Sequence, residues 1–360
     1  MKKKIYTILI SIIVALIFVE ILSRLIITPT KYSQNNNRYM LFVENKIFKN
    51  YKNFFLYYPN REIINKTYYF KNKKFLKEYE YKIKTNNFGL VQTNNLDVKK
   101  DSILFLGDSF TEGQGWYSWI DKFNGSYKNF QTINGGFLGT GPEQFYNLEN
   151  YLSKKLKIKK VIFIFLGDDF LRGTFNISEK TINCLENSLK CQGDERFYGI
   201  SRDSDENKTL IYLKKIKKYR DTNVLTYSNL NFLKQDIKNK IKGLNIVNIL
   251  KQFLEYNFFE YINKTVKTNL DKTQSLIDKY DREIIFIRLS TKQEIDNDAS
   301  YISRYVEKKI KNKGKKVYIC DFNNDLSLFY RNDGHPNSKG YNYLYRCVNN
   351  ILDKEMNNSL

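Results

Sequence analysis

The sequence predicts an α/β fold in which helices cover both faces of a parallel β-sheet, and two observations support this prediction. Short apolar runs of strand length recur along the chain, at 102–106, 130–134, 161–166, 283–289 and 317–321. Segments with helical spacing of apolar residues and polar opposite faces separate the runs, at 142–156, 266–280, 299–311 and 338–353. This alternation is typical of a parallel sheet, because a helix carries the chain back to the edge where the next strand begins.

The first 30 residues are predicted to anchor the chain in the inner membrane. Lysines at 2–4 precede an apolar, charge-free run at 5–19, and apolar residues resume after Glu20. The combined stretch reaches the roughly 20 residues that cross a bilayer, and no small-x-small cleavage site follows it. We therefore predict an uncleaved signal anchor with a cytoplasmic N-terminus, which places the rest of the chain in the periplasm or otherwise outside the cytoplasm. A cleaved signal peptide is the alternative, and it leads to the same compartment.

The remainder of the chain divides into a lead-in and a core that carries an insertion. Residues 31–100 are polar and aromatic, with strand-like stretches at 67–70 and 79–84, and are predicted to form a stalk or a small β-rich lead-in. Residues 101–353 contain the alternating core. After the third strand, the polar and charged segment at about 170–265 interrupts the alternation, and we predict an insertion near the rim of the site.

The formal net charge of +22 raises the question of a nucleic-acid partner. The lysines are dispersed through sequence rich in asparagine, isoleucine and tyrosine, and no nucleic-acid-binding motif accompanies them. We therefore predict a largely solvated surface and no nucleic-acid partner. The positive field could still attract anionic polysaccharide or lipid surfaces.

The four cysteines are consistent with an oxidising compartment. Cys184 and Cys191 are separated by six residues in a polar loop, a spacing compatible with a small loop closed by a disulfide. Cys320 and Cys347 are predicted to be ordinary semi-buried residues. No Cys-x-x-Cys pair occurs and the chain has one histidine, so we predict neither a metal nor a cofactor.

Residues suited to catalysis follow the ends of the first three predicted strands. The first strand leads through Gly107 and Asp108 into Ser109, and ligands bind at the carboxyl edge of open parallel sheets. A serine in such a turn exposes its hydroxyl while its own backbone N–H points towards a developing oxyanion. The second strand leads into a glycine-rich stretch containing Gly139, where a backbone N–H can approach a substrate unobstructed, and Asp168 follows the third strand.

The only histidine of the chain, His335, follows the last predicted strand in the sequence Asp-Gly-His-Pro-Asn at 333–337. Histidine is the usual proton shuttle for a serine nucleophile, because its unperturbed pKa lies near neutral pH. Asp333 is close enough in sequence to orient the imidazole. A lone histidine is more often structural, but serine, glycine, acidic and histidine residues, in this order, after four of the five predicted strands are hard to explain as turns alone.

In this order the motifs resemble those of the SGNH (GDSL-type) hydrolase family, from about 102 to 350 without the insertion. The Gly-Asp-Ser motif at 107–109 matches the family's first block, Gly139 matches the second-block glycine, and residues 333–337 look like the fifth block. The Thr-Asn-x-x-Gly segment at 85–89 is similar to one in exported or membrane-anchored members of the family. Many of those members function in the cell envelope or in exopolysaccharide metabolism. The resemblance implies a flavodoxin-like parallel sheet flanked by helices, the SGNH hydrolase fold.

Two residues depart from the family pattern. Asp168 stands where the family has an asparagine whose side-chain amide donates to the oxyanion. An ionised carboxylate there would repel the oxyanion, so Asp168 is expected to be protonated, turned away, or part of a weakened site. The family places its aspartate three residues before the histidine, where this chain has Asn332. We take Asp333, two residues before His335, as the orienting acid and keep Asn332 as the alternative.

The resemblance implies a serine esterase that uses Ser109 as nucleophile, His335 as base and Asp333 as orienting acid. The oxyanion would be bound by the backbone of Ser109 and Gly139, with Asp168 at the third position. The expected reaction is hydrolysis or transfer of an O-acyl group, above all acetyl, on an acylated envelope or secreted glycan or on a small ester. The alternative is a catalytically degenerate domain that binds glycan or serves as a scaffold in the envelope.

Overall fold

A computed structural model describes residues 38–43, 47–127, 129–174, 177, 205–225, 263–297 and 301–357, with Ser11 and Ala15. Apart from Ser11 and Ala15, the anchor predicted at 1–30 lies outside these residues, as do the loop of Cys184 and Cys191 and most of the insertion predicted at 170–265. Among the residues that are described, none belongs to a helix with the length and apolarity needed to cross a membrane. Residues 37–216 and 263–360 form one compact unit, and residues 1–36 and 217–262 form the other, which is described only in small part.

The region before the core is an antiparallel β structure. It contains the strands β1 (Arg38–Val43), β2 (Phe48–Tyr51), β3 (Phe54–Tyr57), β4 (Glu62–Lys71) and β5 (Lys74–Lys84). Strands β1, β4 and β5 form one sheet in that order, and β2 pairs with β3. The β4–β5 turn consists of Asn72 and Lys73, both with positive φ, as tight hairpins of this twist require.

Strand β5 shows why this region packs against the rest of the unit. Tyr79, Tyr81 and Ile83 are buried, whereas Glu80 and Lys82 between them are exposed. Side chains alternate between the two faces of a strand, so this sequence buries one face of β5 and leaves the other in water. The tyrosine face carries polar hydroxyl groups into the interior, where they require hydrogen-bond partners.

The core is a parallel sheet of five strands. These strands are β6 (Asp101–Gly107), β7 (Phe130–Gly136), β8 (Lys157–Phe165), β9 (Ile284–Leu289) and β10 (Val317–Cys320). Their spatial order is β10-β9-β8-β6-β7, which is the flavodoxin-like order with its switch point between β6 and β8. All four strand pairings are parallel. The parallel α/β core predicted from the sequence is therefore confirmed.

Seven α-helices occur among the described residues. They are α1 (Ser109–Glu112), α2 (Pro142–Leu152), α3 (Glu206–Leu225), α4 (Lys264–Tyr280), α5 (Lys292–Asn297), α6 (Tyr301–Lys311) and α7 (Ser338–Asn357). Pro142 starts α2 because proline fits the first helical turn, where its missing N–H costs nothing. Helix α7 buries Leu344, Val348 and Leu352 in the core with Ile103 and Phe105 of β6. Each fully buried aliphatic side chain of this kind contributes about 1.5–3 kcal/mol.

The prediction for Cys320 and Cys347 was wrong, because the two residues form a disulfide. Cys320 ends β10 and Cys347 lies in α7, 27 residues later. Helix α7 returns the chain to β10, and this long-range packing brings the two sulfur atoms together. The spacing of the two cysteines in the sequence does not indicate this disulfide.

Candidate active site

The first element of the site is the turn between β6 and α1, which presents Ser109. A Cβ on Gly107 would lie 2.0 Å from Thr111 Oγ1 and 2.9 Å from Ile164 O, so only glycine fits at this point. Asp108 caps α1, and its Oδ1 accepts a hydrogen bond of 2.9 Å from the backbone N–H of Phe110. This local sequence delivers Ser109 at the carboxyl edge of the sheet, at the switch point.

The structure brings Ser109, His335 and Asp333 into one row of hydrogen bonds. Ser109 Oγ lies 2.8 Å from His335 Nε2, and His335 Nδ1 forms a short hydrogen bond with Asp333 Oδ1. All three residues are buried, with exposed fractions of 5%, 9% and 2%. Because the carboxylate accepts, Nδ1 carries the proton, which leaves the Nε2 lone pair to receive the serine hydroxyl.

The segment that carries His335 is held by backbone and side-chain contacts. The backbone N–H of Tyr330 donates to His335 O at 3.0 Å, and Phe329 and Pro336 form a β-bridge. Asn337 Nδ2 donates to Phe329 O at 3.1 Å, while its Oδ1 accepts from the backbone at the start of α7. The Asp-Gly-His-Pro-Asn segment is therefore a braced turn as well as the source of the imidazole.

Asn332, the alternative to Asp333, makes different contacts. Its side-chain amide donates to Glu78 Oε2 at 2.7 Å, and its backbone N–H donates to Glu78 Oε1 at 2.7 Å. Glu78 belongs to β5, so Asn332 joins the histidine segment to the lead-in. Asp333 is the residue in contact with the imidazole.

The second oxygen of Asp333 contacts two residues of the lead-in that no sequence motif identifies. Tyr79 donates its hydroxyl proton to Asp333 Oδ2 at 2.9 Å, and Arg38 Nη2 lies 3.1 Å from the same oxygen. Gln114 Nε2 donates to the Tyr79 hydroxyl at 2.8 Å. Burial acts to raise the pKa of Asp333, but the charges of His335 and Arg38 and the hydrogen bonds from His335 and Tyr79 outweigh it. They hold that pKa well below its usual value.

Gly139 lies in the loop between β7 and α2. Its φ of +69° is in the left-handed region, and among the described residues, its two chain neighbours aside, no atom lies within 4 Å of the position that a Cβ would take. The loop is tied to the end of β6, because the backbone N–H of Phe137 donates to Gly107 O at 3.1 Å. Gly139 therefore adjoins open space close to the serine turn.

Asp168 and Asp169 follow β8 and differ in their surroundings. Asp169 is fully buried, and its Oδ2 accepts a hydrogen bond of 2.8 Å from the backbone N–H of Leu166. Asp168 reaches solvent, and no described residue hydrogen-bonds to its side chain. The protein around its carboxylate nevertheless desolvates it in part and raises its pKa, with Arg172 opposing the rise and Glu294 and Asp108 adding to it. This shift favours the protonated form of the Asp168 carboxyl group.

Arg172 lies between the loops at this edge, and no sequence motif identifies it. Its Nη1 is 2.8 Å from Asp108 Oδ2 and 2.6 Å from Asp169 Oδ1, and donates to Thr140 O at 3.2 Å. It stands at the start of the segment predicted to be an insertion, where regular strand and helix signals end. A lone arginine in polar sequence carries no signal that distinguishes it from a solvated one.

Among the comparisons with known proteins, only the comparison of structures found similar proteins. No protein-family profile matches the chain, and no curated protein matches it. A lipase/acylhydrolase from Enterococcus faecalis is similar at 10% identity over 70% of this chain and 95% of its own, with a TM-score of 0.34. A member of the lipolytic protein G-D-S-L family from Veillonella parvula is similar at 11% identity over 70% and 98%, with a TM-score of 0.34. A GDSL-like lipase from Bacteroides thetaiotaomicron is similar at 12% identity over 73% and 92%, with a TM-score of 0.29.

Proposed function

We propose that this chain is a serine esterase of the SGNH (GDSL) type, with Ser109 as nucleophile, His335 as general base and Asp333 as the orienting acid. The observation that carries the proposal is the 2.8 Å contact between Ser109 Oγ and His335 Nε2, continued by the hydrogen bond from His335 Nδ1 to Asp333. Acyl transfer by a serine requires a base that takes the hydroxyl proton and a carboxylate that fixes the tautomer of that base.

In the proposed reaction, Ser109 Oγ attacks the ester carbonyl carbon while its proton moves to His335 Nε2. The carbonyl oxygen becomes an oxyanion, to which the backbone N–H groups of Ser109 and Gly139 donate, and Asp333 stabilises the imidazolium. His335 then returns the proton to the departing alcohol, which leaves an acyl group on Ser109. Water activated by His335 releases this group as an acid, whereas a sugar hydroxyl in the same place would accept it. The same intermediate thus serves hydrolysis and transfer.

The proposed substrate is an O-acyl ester, above all an acetyl ester, on an envelope or secreted glycan. The predicted anchor at 1–30 and the segment at 85–89 support work outside the cytoplasm. The disulfide between Cys320 and Cys347 supports the same location, because disulfides persist in oxidising compartments. A net charge of +22 would favour approach to an anionic polymer.

A second candidate function is glycan binding without catalysis. Asp168 favours it, because a carboxylate at the third oxyanion position supplies no donor while it is ionised. A domain with this defect could retain a glycan site and have lost turnover. The two candidate functions differ in their need for Ser109: ester hydrolysis requires its hydroxyl group, whereas glycan binding does not.

Hydrolysis by the full-length protein separates the candidates. We expect turnover of 4-nitrophenyl acetate and release of acetate from an O-acetylated glycan, both abolished by Ser109→Ala. Ser275→Ala, on the surface of α4, is the matched control and should retain full activity. Glycan binding without turnover, unchanged in Ser109→Ala, would instead support the binding domain.

A further inference from the structure

Three loops at the carboxyl edge of the sheet meet at the guanidinium group of Arg172. Asp108 follows β6, Thr140 follows β7 and Asp169 follows β8, and Arg172 Nη1 contacts all three, at 2.8, 3.2 and 2.6 Å. These are the loops from which the nucleophile, Gly139 and Asp168 come. The cation therefore stands at the junction of every segment assigned to oxyanion binding.

The guanidinium group is also close to the nucleophile. Asp108 Oδ2 contacts both Arg172 Nη1, at 2.8 Å, and Ser109 Oγ, at 3.2 Å. Thr140, whose carbonyl oxygen accepts from Arg172, directly follows Gly139 in the chain. A carbonyl oxygen bound between the N–H groups of Ser109 and Gly139 would lie beside this cation.

Two of the three guanidinium nitrogen atoms remain available. Every polar contact described for the Arg172 side chain involves Nη1, and no described residue accepts from Nη2 or Nε. The side chain is 30% exposed, so these donors are not enclosed by protein. Burial acts to lower the pKa of Arg172, but Asp169 and Asp108 raise it above its usual value, so the group stays a cation at every pH of interest.

We propose that Arg172 is a catalytic residue that donates to the oxyanion, in the role for which the family pattern uses an asparagine and this chain has Asp168. The inference rests on the proposed esterase function and adds a residue to it. A charge-assisted hydrogen bond is roughly twice as strong as a neutral one, so a guanidinium can replace an amide donor. The position of Asp168 then weakens the site less than the family pattern implies.

Replacement of Arg172 by methionine in the full-length protein tests the proposal. We expect kcat for 4-nitrophenyl acetate to fall by about 100- to 1,000-fold with KM little changed, as for loss of one oxyanion donor. Guanidinium chloride at low, non-denaturing concentration should restore part of the kcat of Arg172→Met. The affinity for a trifluoromethyl ketone, which adds to serine as a tetrahedral oxyanion, should fall in parallel with kcat/KM. Arg346→Met, at an exposed position of α7, is the matched control.

The outcomes separate donation from a purely structural role. Retention of wild-type kcat in Arg172→Met would overturn the inference. So would a loss of kcat that accompanies a lower melting temperature, is not restored by guanidinium and leaves ketone affinity unchanged, because Arg172 would then only clamp the loops. Arg172→Lys keeps the positive charge and part of the contacts to the three loops, so it should retain an intermediate kcat if the proposal holds. A wild-type protein without turnover that depends on Ser109 would remove the proposed function and this inference with it.

Discussion

Asp333 divides its two carboxylate oxygens between two tasks. Oδ1 accepts a hydrogen bond from His335 Nδ1, while Oδ2 accepts one from the Tyr79 hydroxyl and forms an ion pair with Arg38. A buried carboxylate without such partners would favour its neutral form and could not stabilise an imidazolium. The contacts from the lead-in therefore keep the carboxylate charged where the proposed chemistry needs a charge. In the proposed reaction, Arg38 and Tyr79 would act through Asp333 as positioning residues.

Replacement of Arg38 by methionine should shift the pH dependence of the proposed reaction. Removal of the cation raises the pKa of Asp333, because a nearby positive charge favours the ionised carboxylate. We expect the acid limb of the kcat/KM profile to move to higher pH, with a smaller loss at alkaline pH. Arg61→Met, an exposed arginine of the same region, should keep the wild-type profile. A uniform loss of activity at all pH values would contradict the positioning role.

Asp168→Asn tests the departure from the family pattern. Asparagine restores an amide donor and removes a negative charge, so turnover of a small acetyl ester should rise. The gain should reach up to about 100- to 1,000-fold in the Arg172→Met background and be smaller in the wild type, which keeps its guanidinium donor. His335→Ala should abolish the gain, since it removes the only imidazole. Turnover that is unchanged or lower in Asp168→Asn would mean that Asp168 serves the reaction in another way.

At the scale of elements, the sequence predicts strands and helices from their local periodicity. It does not predict contacts between residues that are far apart in the chain. The strands β6 to β10 and helices such as α4 follow from periodicity, and the ends of parallel strands share one edge, which brings Ser109 and His335 to the same place. The contact of Asp333 with Tyr79 joins residues 254 positions apart. The alternation of apolar and charged residues in β5 indicates that Tyr79 faces inward, but it does not identify Asp333 as the residue that Tyr79 contacts. The disulfide of Cys320 and the position of Arg172 were missed for the same reason.

Helix α1 carries a buried acid, Glu112, whose Oε1 accepts a hydrogen bond of 2.8 Å from Tyr57 of the lead-in. Burial raises its pKa from 4.5 to about 8, and the hydrogen bond from Tyr57 offsets this only in part. Between these two values the unfolded chain releases a proton that the folded protein keeps. The contribution of Glu112 to stability should therefore be fully present below about pH 4.5 and should be lost progressively as the pH rises to about 8.

Glu112→Gln should remove this dependence, because glutamine does not ionise and mimics the protonated acid. We expect the melting temperature of the variant to exceed that of the wild type most at about pH 8 and least at about pH 4.5. Unfolding curves across this range measure the difference. Glu80→Gln, at an exposed position of β5, should follow the wild-type curve. A variant with the same pH dependence as the wild type would show that Glu112 is ionised in the folded protein.

For the whole molecule, the prediction concerns the side of the membrane on which the proposed catalytic unit works. The lysines at 2–4 and the apolar run predict a cytoplasmic N-terminus and a domain on the other side of the membrane. Alkaline phosphatase fused after Leu360 should be active, because it requires the oxidising exterior, and a cytoplasmic reporter at the same point should not be. Protease added to intact spheroplasts should degrade the C-terminal domain. Protection of that domain would contradict the proposed topology.

The most direct measurement of the central claim, an activated Ser109, is labelling of the full-length protein with a fluorophosphonate followed by peptide mapping. A fluorophosphonate reacts with a serine whose hydroxyl is deprotonated by a neighbouring base. We predict a single adduct on Ser109, absent from Ser109→Ala and strongly reduced in His335→Ala, while Ser275→Ala labels as the wild type does. Absence of an adduct on the wild-type protein, or an adduct of equal yield in His335→Ala, would contradict the account.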